Sequence, residues 1–583
     1  MQLIRISQLN ISVRENADVS GDSVVAHQEK TREALLKKKA ARALRLSPGN
    51  IGSLTIVRQG IDARRKPDIL YVYTVDVTLK EDDAAVEKLV RRLSDPNVRI
   101  VKEEAFRFPE AASHALSDRP LVVGMGPAGL FAAYALAVHG HRPVVIERGR
   151  AAEERVRDVE TFWAGGALQP SSNVQFGEGG AGTFSDGKLY TSLKDREGFF
   201  AEILKTFAAH GAAKEILYEA HPHIGTDRLV TILQSMRERM LALGADIRFE
   251  TELTGLLTED VPQGGAAEDG AAERLCRVTG IRTNRGEIAA SRVILAIGHS
   301  ARDTYRMLYE AGVRMEAKPF AAGFRIAHPQ SVINEAMYGM AHPKQLPAAP
   351  YKLTYQTAAG RSVYSFCMCP GGYIINASSE DGRLCVNGMS YADRAGKYAN
   401  SAVVVNVTPE DVRGFARSRE GLAGPETEDV LAGIAFQRAI EEAACRAGGG
   451  SIPVTTFGAF RAEDALAAAD IARSQDAAAR QEAFRGQVSA AVLKGILPPE
   501  MEAAITEGIL HWNRSIAGFA AEDALLAAAE SRTSAPLRIL RSAHDLQSVN
   551  VAGLYPCGEG AGYAGGIMSA AADGLRCARR AAT

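Results

Sequence analysis

The sequence predicts an α/β chain with three parts: a parallel sheet carrying a glycine turn, a large α+β insertion interrupting that sheet, and a small α+β domain ahead of both. Three observations predict it. "LVVGMGPAGLFAAYALAVHGHRPVVIERG", Leu121 to Gly149, reads as strand, glycine turn, helix and strand. "GLYPCGEGAGYAGGIMSAAADGLRCA", Gly553 to Ala578, reads as a second strand, glycine-rich turn and helix, far downstream. Residues 1–110 read as β-α-β-β-α-β and end before the first glycine turn.

The N-terminal elements come in that order. "QLIRISQLNISV" is strand-like, and a helix is expected around Lys30 to Leu46. "IGSLTIVRQGIDA" and "ILYVYTVDVTL" form a hairpin across the polar turn "RRKPD". "AAVEKLVRRL" is a second helix and "VRIVKE" a last strand. This order is that of a ferredoxin-like fold. "SHALSDRP", around residues 111–118, reads as the linker. Lys37, Lys38, Lys39, Arg42 and Arg45 on the first helix, with Arg64, Arg65 and Lys66 in the hairpin turn, make this domain basic. Three consecutive lysines cannot share one helix face, so a solvated surface is the plain reading; RNA or nucleotide phosphate is the alternative.

The first glycine turn has a physical logic at each position. Leu121, Val122 and Val123 suit a buried parallel strand. Gly124 permits the tight turn, Gly126 lets backbone approach a pyrophosphate, and Gly129 lets helix and strand pack closely. Pro127 suits a first helical turn, followed by Ala128, where free N–H groups and the positive dipole end face phosphate. Ala132, Ala133, Leu136 and Ala137 recur at helical spacing. The next strand, Pro143 to Ile146, ends on Glu147, where an acid holds ribose hydroxyls, with Arg148 beside it. A carboxylate there would repel a 2′-phosphate, which leaves FAD or NAD.

The nucleotide fold continues past this unit. Residues 119–304 form its first part, closing on "ASRVILAIGHSARDT", a buried strand with Ala296 and Gly298 at its end. Residues 305–545 read as a substrate or cap domain, strand-rich from Lys318 to Val407 and helical from about Asp429 to Glu530. "VPQGGAAEDGAAE" reads as a low-complexity surface loop. Residues 546–583 complete the fold. FAD lies extended across a sheet and needs a second contact near the C-terminus, which Gly558, Glu559 and the helix start at Gly565, Gly566 and Ile567 supply. Three motifs in this order select FAD over NAD. The fold class is thus a Rossmann-like, three-layer ββα FAD/NAD(P)-binding domain with the insertion and the N-terminal domain attached.

These stretches, with "NVQFGEGGAGTFSDGKLYT", "HIGTDRLV", "KPFAAGFRI", "SFCMCPGGYIINASSE", "NGMSYADR" and "GIDARRKPD", resemble the uncharacterised bacterial FAD-dependent dehydrogenase family. That family is related to flavoproteins with a glutathione-reductase-type FAD domain. The resemblance spans nearly the whole chain. It implies FAD, with Glu147 on the adenosine ribose, Glu559 on a ribityl hydroxyl, and backbone near Leu253 against adenine. It implies little about substrate. Glu559 stands where many relatives of this fold carry Asp.

The loop "NVQFGEGGAGTFSDGKLYTSLKD" would line the flavin pocket, with Gly179 and Gly180 allowing close approach. Gln175, Ser185, Asp186 and Lys188 would then reach flavin or substrate. Cys367 is a candidate redox group, although C-x-C with Cys369 makes a poor disulfide on an extended strand, and buried packing is the plainer reading of both. Cys557, beside the second glycine turn, is also read as packing. Arg394, among Asn387, Ser390, Tyr391 and Asn400, is the expected anchor for an anionic substrate or for the flavin's pyrimidine edge; a surface salt bridge is the alternative. Arg532, Thr533 and Ser534 precede the C-terminal motif and would border the pocket. His221 and His223 lack partners at metal-ligand spacing, so no metal site is expected.

Composition narrows the partners. The formal net charge of -1 gives no global pull toward nucleic acid or anionic membrane. No apolar run approaches the ~18–20 residues needed to span a bilayer. "MQLIRISQLNISV" lacks the build of a secretion signal, and seven scattered cysteines suit a reducing compartment, so a cytoplasmic location is expected. The expected function is an FAD-dependent oxidoreductase passing hydride between flavin N5 and a small organic substrate. A single dinucleotide fingerprint leaves NAD(P)H at most a transient electron donor. A flavin-dependent RNA-binding or tRNA-modifying protein is the alternative class, and oligomeric state is left open.

Overall fold

The computed structural model describes residues 2–13, 25–102, 106–110, 119–195, 197–261, 276–418, 430–462 and 482–583. The expected linker and most of the expected low-complexity loop lie outside them. The chain divides into two compact units: Met1–Phe106, Lys194–His223 and Asn334–Ala349 form one, and the remainder forms the other.

The first unit is built on a four-stranded antiparallel sheet. Its order is Ile51–Asp62, Leu70–Leu79, Leu3–Ser12, Val98–Val101. Leu70–Leu79 alternates strictly: Tyr71, Tyr73, Val75, Val77 and Leu79 are buried and the residues between them are not. Period-two alternation of this kind gives the sheet one core face. The helices Val25–Leu44 and Asp83–Leu93 turn Leu36, Ala40, Leu44, Val86 and Leu89 inward. The Asp82 carboxylate caps the second helix by accepting from Ala85 N at 2.8 Å. Two of the cations noted above stand in local pairs, Lys37 with Glu33 and Arg64 with Asp62.

In the second unit, a five-stranded parallel sheet collects strands from distant parts of the chain. Its order is Leu554–Pro556, Val293–Leu295, Leu121–Val123, Val144–Ile146, Asp246–Arg248. The central strands are buried on both faces, which is why they read as unbroken apolar runs. A mixed sheet of Leu253–Asp260, Cys276–Thr283, Gly286–Ala289 and Val551–Ala552, the last pairing parallel to Cys276–Thr283 and the others antiparallel, shares a core with it, Val278 and Ile281 clustering with Leu121, Val293 and Leu554. The helices Pro127–Val138 and Ile567–Ala581 pack tightly together. A Cβ on Gly574 would stand 2.0 Å from the carbonyl oxygen of Ala128.

The insertion carries a seven-stranded sheet in the order Thr354–Gln356, Ser362–Cys369, Tyr398–Val407, Phe320–Pro329, Leu525–Glu530, Ile452–Thr456, Val488–Ala490. This corrects the helical reading of residues 429–530. Helices occupy Ala432–Gly448, Phe457–Arg461 and Pro499–Trp512, but "LLAAAE", Leu525–Glu530, is a strand with all six residues buried. Alanine favours helix only weakly, and burial between two strands overrides it. Among the described residues, no helix is long and apolar enough to cross a membrane.

Candidate functional site

The parallel sheet ends on a cavity with about 1470 Å³ of empty space, counted out to its open mouth. One end is the first glycine turn. Gly124 has φ +94°, and a Cβ there would meet the Ala296 carbonyl oxygen at 2.4 Å, so two neighbouring strand ends abut. Gly126 caps the helix Pro127–Val138 and faces Gly180 across the cavity edge. Among the described residues beyond its chain neighbours, the nearest atom to a Cβ on Gly126 would be Gly180 Cα at 3.7 Å, whereas one on Gly129 would stand 1.9 Å from the Gly124 carbonyl oxygen. The helix–strand contact therefore requires glycine at Gly129, whereas the surrounding protein leaves room for a Cβ at Gly126.

Glu147 ends the next strand and lines the cavity while only 5 % exposed. Its carboxylate accepts from Met125 N at 2.7 Å, Gly149 N at 2.9 Å and Gly177 N at 3.0 Å. It thus ties the glycine turn to the loop that follows. A carboxylate offers about four acceptor sites, and these three bonds take three of them. Arg148 lies 4.4 Å over the Phe176 ring and pairs with Glu252 and Asp303. Leu253 and Ala296 complete this wall.

The opposite wall comes from the C-terminal turn. Glu559, Gly566 and Ile567 line it, and Glu559 accepts from Gly566 N at 3.3 Å. Burial pushes the Glu559 carboxyl up to about 7. Both helix N-termini, at Pro127 and Ile567, open onto this one cavity. That pairing offers two positive dipole ends to a ligand with phosphates and an electron-rich ring.

At the far end lies a cluster of charges. Lys188 Nζ stands 3.3 Å from Asp186 Oδ2 and 3.6 Å from Cys367 Sγ, and donates to the Met368 carbonyl oxygen. The fully buried Arg325 donates to Glu530 at 2.9 Å and to the Cys367 carbonyl oxygen at 3.1 Å. Burial pushes Glu530 up to about 7 against the pull of Arg325. Cys367 is held down to about 5 by a hydrogen bond from Cys369, with Lys188 and Arg325 adding their charge against the cost of burial. His299 lines the same region, and burial beside Arg532 and Arg302 lowers it to about 4, so its imidazole is neutral. Ser300 links it onward, lying 3.0 Å from His299 Nδ1 and donating to Gln175 Oε1 at 3.0 Å. Behind this wall Glu441 accepts bidentate bonds from both Arg302 and Arg532.

Most residues read from the sequence therefore meet. Gly124, Gly126, Pro127, Ala128, Glu147, Arg148, Gln175, Gly180, Lys188, Leu253, Ala296, Gly298, Cys367, Glu559, Gly566 and Ile567 all line the cavity. Gly129, Gly179, Gly558, Gly565 and Arg394 do not line it, and neither do Asp186 and Ser534. Gly129 and Gly558 serve packing, a Cβ on Gly558 meeting Ala128 Cβ at 2.6 Å. Gly179 donates its N–H to the Met125 carbonyl oxygen, and Gly565 donates to Ser569. Arg394 corrects the expected substrate anchor: its guanidinium forks the buried Asp186 at 2.5 and 3.1 Å, so its charge is spent inside the protein. Cys367 also departs from a packing role, since it faces the cavity beside an ammonium. Cys557 lines the cavity near a knot in which Arg541 forks Asp573 at 2.7 and 2.9 Å beside Cys577. Glu530, Arg325 and His299 stand in no motif spacing that marks them in the sequence. A lone charge inside an otherwise apolar run, as in "LLAAAE" and "FAAGFRI", was the available signal for the first two.

Comparison with known proteins agrees with this geometry. Residues 319–533 match the model of the FAD-dependent protein, C-terminal domain-like family, residues 119–183 that of an FAD binding domain, and residues 4–78 a domain of unknown function. An uncharacterized protein of Clostridium beijerinckii is 41% identical over 581 residues, covering 99% of this chain and 98% of its own. The chain belongs to this family of FAD-dependent proteins. FAD is its cofactor. Among solved structures, glycine oxidase from Bacillus cereus is 13% identical over 52% of this chain and 77% of that one, with a TM-score of 0.25. An L-amino acid deaminase from Proteus vulgaris is 14% identical over 44% and 70%, with a TM-score of 0.22.

Proposed function

We propose that the protein is an FAD-dependent oxidoreductase acting on a small organic substrate at the Lys188–Cys367 end of the cavity. The observation that carries this reading is the run of one cavity from the Gly126–Gly180 gap, past Glu147 and Glu559, to a cluster of buried ionisable groups. Bound FAD supplies hydride exchange at its ring N5; the chain supplies orientation, exclusion of water and charge. In this reading Glu147 takes the adenosine ribose with its remaining acceptor site, and the backbone near Leu253 meets adenine. The helix at Pro127 faces the diphosphate. Glu559 takes a ribityl hydroxyl, and the helix at Ile567 faces the pyrimidine side of the ring.

Lys188 then positions substrate. It remains an ammonium because, although burial opposes its charge, Cys367 and Asp186 outweigh that and raise its pKa. Glu530 and Glu559, both near neutrality in their titration, hold protons that a reaction at the cavity's inner end can use. The same reading assigns residues 1–110 a ferredoxin-like architecture and residues 119–304 with 546–583 the FAD domain. An anaerobic absorbance titration with NADH and NADPH, added separately, tests it. A yellow protein bleached by either is a nicotinamide-driven reductase; one bleached by neither takes its electrons from substrate. A purified protein without flavin absorbance, even after incubation with FAD, defeats the proposal.

A further inference from the structure

Ser362–Cys369 is not a regular strand at its end. Against Tyr398–Val407, Phe366 pairs with Ala402 and Cys369 with Asn400, so three steps on one strand span two on the other. The extra residue falls at Cys367–Met368, a β-bulge of the kind that bends a strand and re-aims its side chains. A regular extended strand would hold the two sulfurs apart; the bulge folds Cys369 back. Its thiol donates to the Cys367 carbonyl oxygen at 3.4 Å.

The two thiols are electrically unlike. Cys367 is half-buried, lines the cavity, and has Lys188 Nζ at 3.6 Å. Cys369 is fully buried. The groups facing them are Lys188, Arg325, Asp186, Glu530 and Tyr190, and the cations favour a thiolate on Cys367. Hydrogen bonding to the Cys367 sulfur and burial keep Cys369 a thiol, raised well above its ordinary range. One thiolate facing a cavity with one thiol behind it is the arrangement that thiol–disulfide chemistry requires.

We propose that Cys367 and Cys369 are a redox-active dithiol that exchanges two electrons with the flavin. This rests on the reading of the cavity as the flavin site. In the oxidising direction the S–H bond of Cys369 breaks and one S–S bond forms between Cys367 and Cys369. The pair passes two electrons and that proton to oxidised flavin, leaving reduced, singly protonated flavin, and Lys188 stays protonated throughout. The reverse step regenerates thiolate and thiol.

The test uses the FAD-bound full chain. Air-oxidised and anaerobically reduced samples are quenched in acid, alkylated and digested with trypsin; cleavage after Arg361 and Arg383 releases both cysteines in one peptide. The oxidised sample should give that peptide unalkylated and two hydrogens lighter, and the reduced sample should give it alkylated twice. In an anaerobic dithionite titration the wild type should consume about twice the electrons per flavin that Cys369→Ser consumes. A doubly alkylated peptide from oxidised protein, or equal electron uptake in both proteins, overturns the dithiol while a normally bleaching flavin leaves the oxidoreductase reading intact. A chain that binds no flavin removes both. The peptide measurement needs no variant, so a Cys369→Ser protein that fails to fold does not block the test.

Discussion

Gly126→Val should remove the cofactor while sparing the fold, and the two effects separate in the structure. At Gly126 the backbone is extended, with φ -71° and ψ -178°, which valine adopts without strain. An added Cβ stands 3.7 Å from Gly180 Cα, an ordinary contact. The expected cost to the apoprotein is a few tenths of a kcal/mol to about 1 kcal/mol, the scale of an altered helix N-cap. Toward the cavity, the branched side chain fills space that a diphosphate would occupy. Overpacking costs about 1–3 kcal/mol, so FAD affinity should fall by up to roughly 100-fold. At a FAD concentration ~100 times the wild-type Kd, binding stabilises the wild type by about 2.7 kcal/mol and the variant by only about 0.4 kcal/mol. Thermal melts with and without FAD, together with the flavin-to-protein absorbance ratio, measure both quantities. A Gly126→Val protein that purifies with the wild-type flavin ratio and the wild-type FAD-induced rise in Tm refutes the assignment of this turn. Gly129→Ala is the contrast: its Cβ would sit 1.9 Å from a backbone oxygen that cannot yield, so the loss should appear in the apoprotein's Tm.

Three further outcomes follow from the buried charges. Glu441→Gln leaves the Arg302 and Arg532 guanidiniums, with side chains 1 % and 5 % exposed, without their shared carboxylate, and should destabilise the chain by roughly 3–5 kcal/mol in denaturant titration. The two arginines outweigh burial and hold Glu441 well below the usual carboxylate range, so its contribution is present above about pH 4.5 and is lost as pH falls below that. Glu559 has the opposite sign: burial raises it to about 7, so its contribution is complete below about pH 4.5 and disappears as pH rises through 7. The apoprotein's Tm should fall between pH 5 and pH 8, and Glu559→Gln should flatten that slope. Arg394→Ala strips the fork from the fully buried Asp186 and should cost about 3 kcal/mol of stability while the flavin ratio stays at the wild-type value, the behaviour of an internal ion pair and not of a substrate anchor.

The glycine-turn end of the cavity was legible in the sequence because its information is local. Gly124, Gly126, Gly129 and Glu147 lie within one strand–helix–strand unit, and each spacing there has a single physical meaning. The chemical end was not legible, because it is assembled from residues that only the fold brings together. Lys188 comes from a loop, Arg325 and Glu530 from adjacent strands of the insertion sheet, and Cys367 from a third strand. The alanine run before Glu530 disguised its strand, since burial on both faces erases the alternation that marks a half-exposed strand. Arg394 misled for a related reason: an arginine among polar residues reads as available, and its partner Asp186 lies far away in the chain. The register irregularity between Phe366 and Cys369 leaves no composition signal, so C-x-C spacing alone reads as a regular strand.

The two ends of the cavity place different demands on the chain. Around Gly126 the protein acts mainly through backbone: glycine gaps, helix N-termini, and one carboxylate that is three-quarters engaged with N–H groups of its own fold. In the proposed reading such a cradle carries no information about substrate, since any chemistry on the same cofactor would need it. Around Cys367 the protein acts through side-chain charge: Lys188 and Arg325 set against Asp186 and Glu530, with a thiol pair between them. Removing any one of these changes the ionisation of the others before it changes the shape of the cavity. Substitutions there should therefore move pH profiles and electron counts while the flavin remains bound, and substitutions at the glycine end should remove the flavin before any pH profile can be measured. A variant of Lys188 or Cys367 that loses FAD as completely as Gly126→Val would place the cofactor's diphosphate at the wrong end of the cavity.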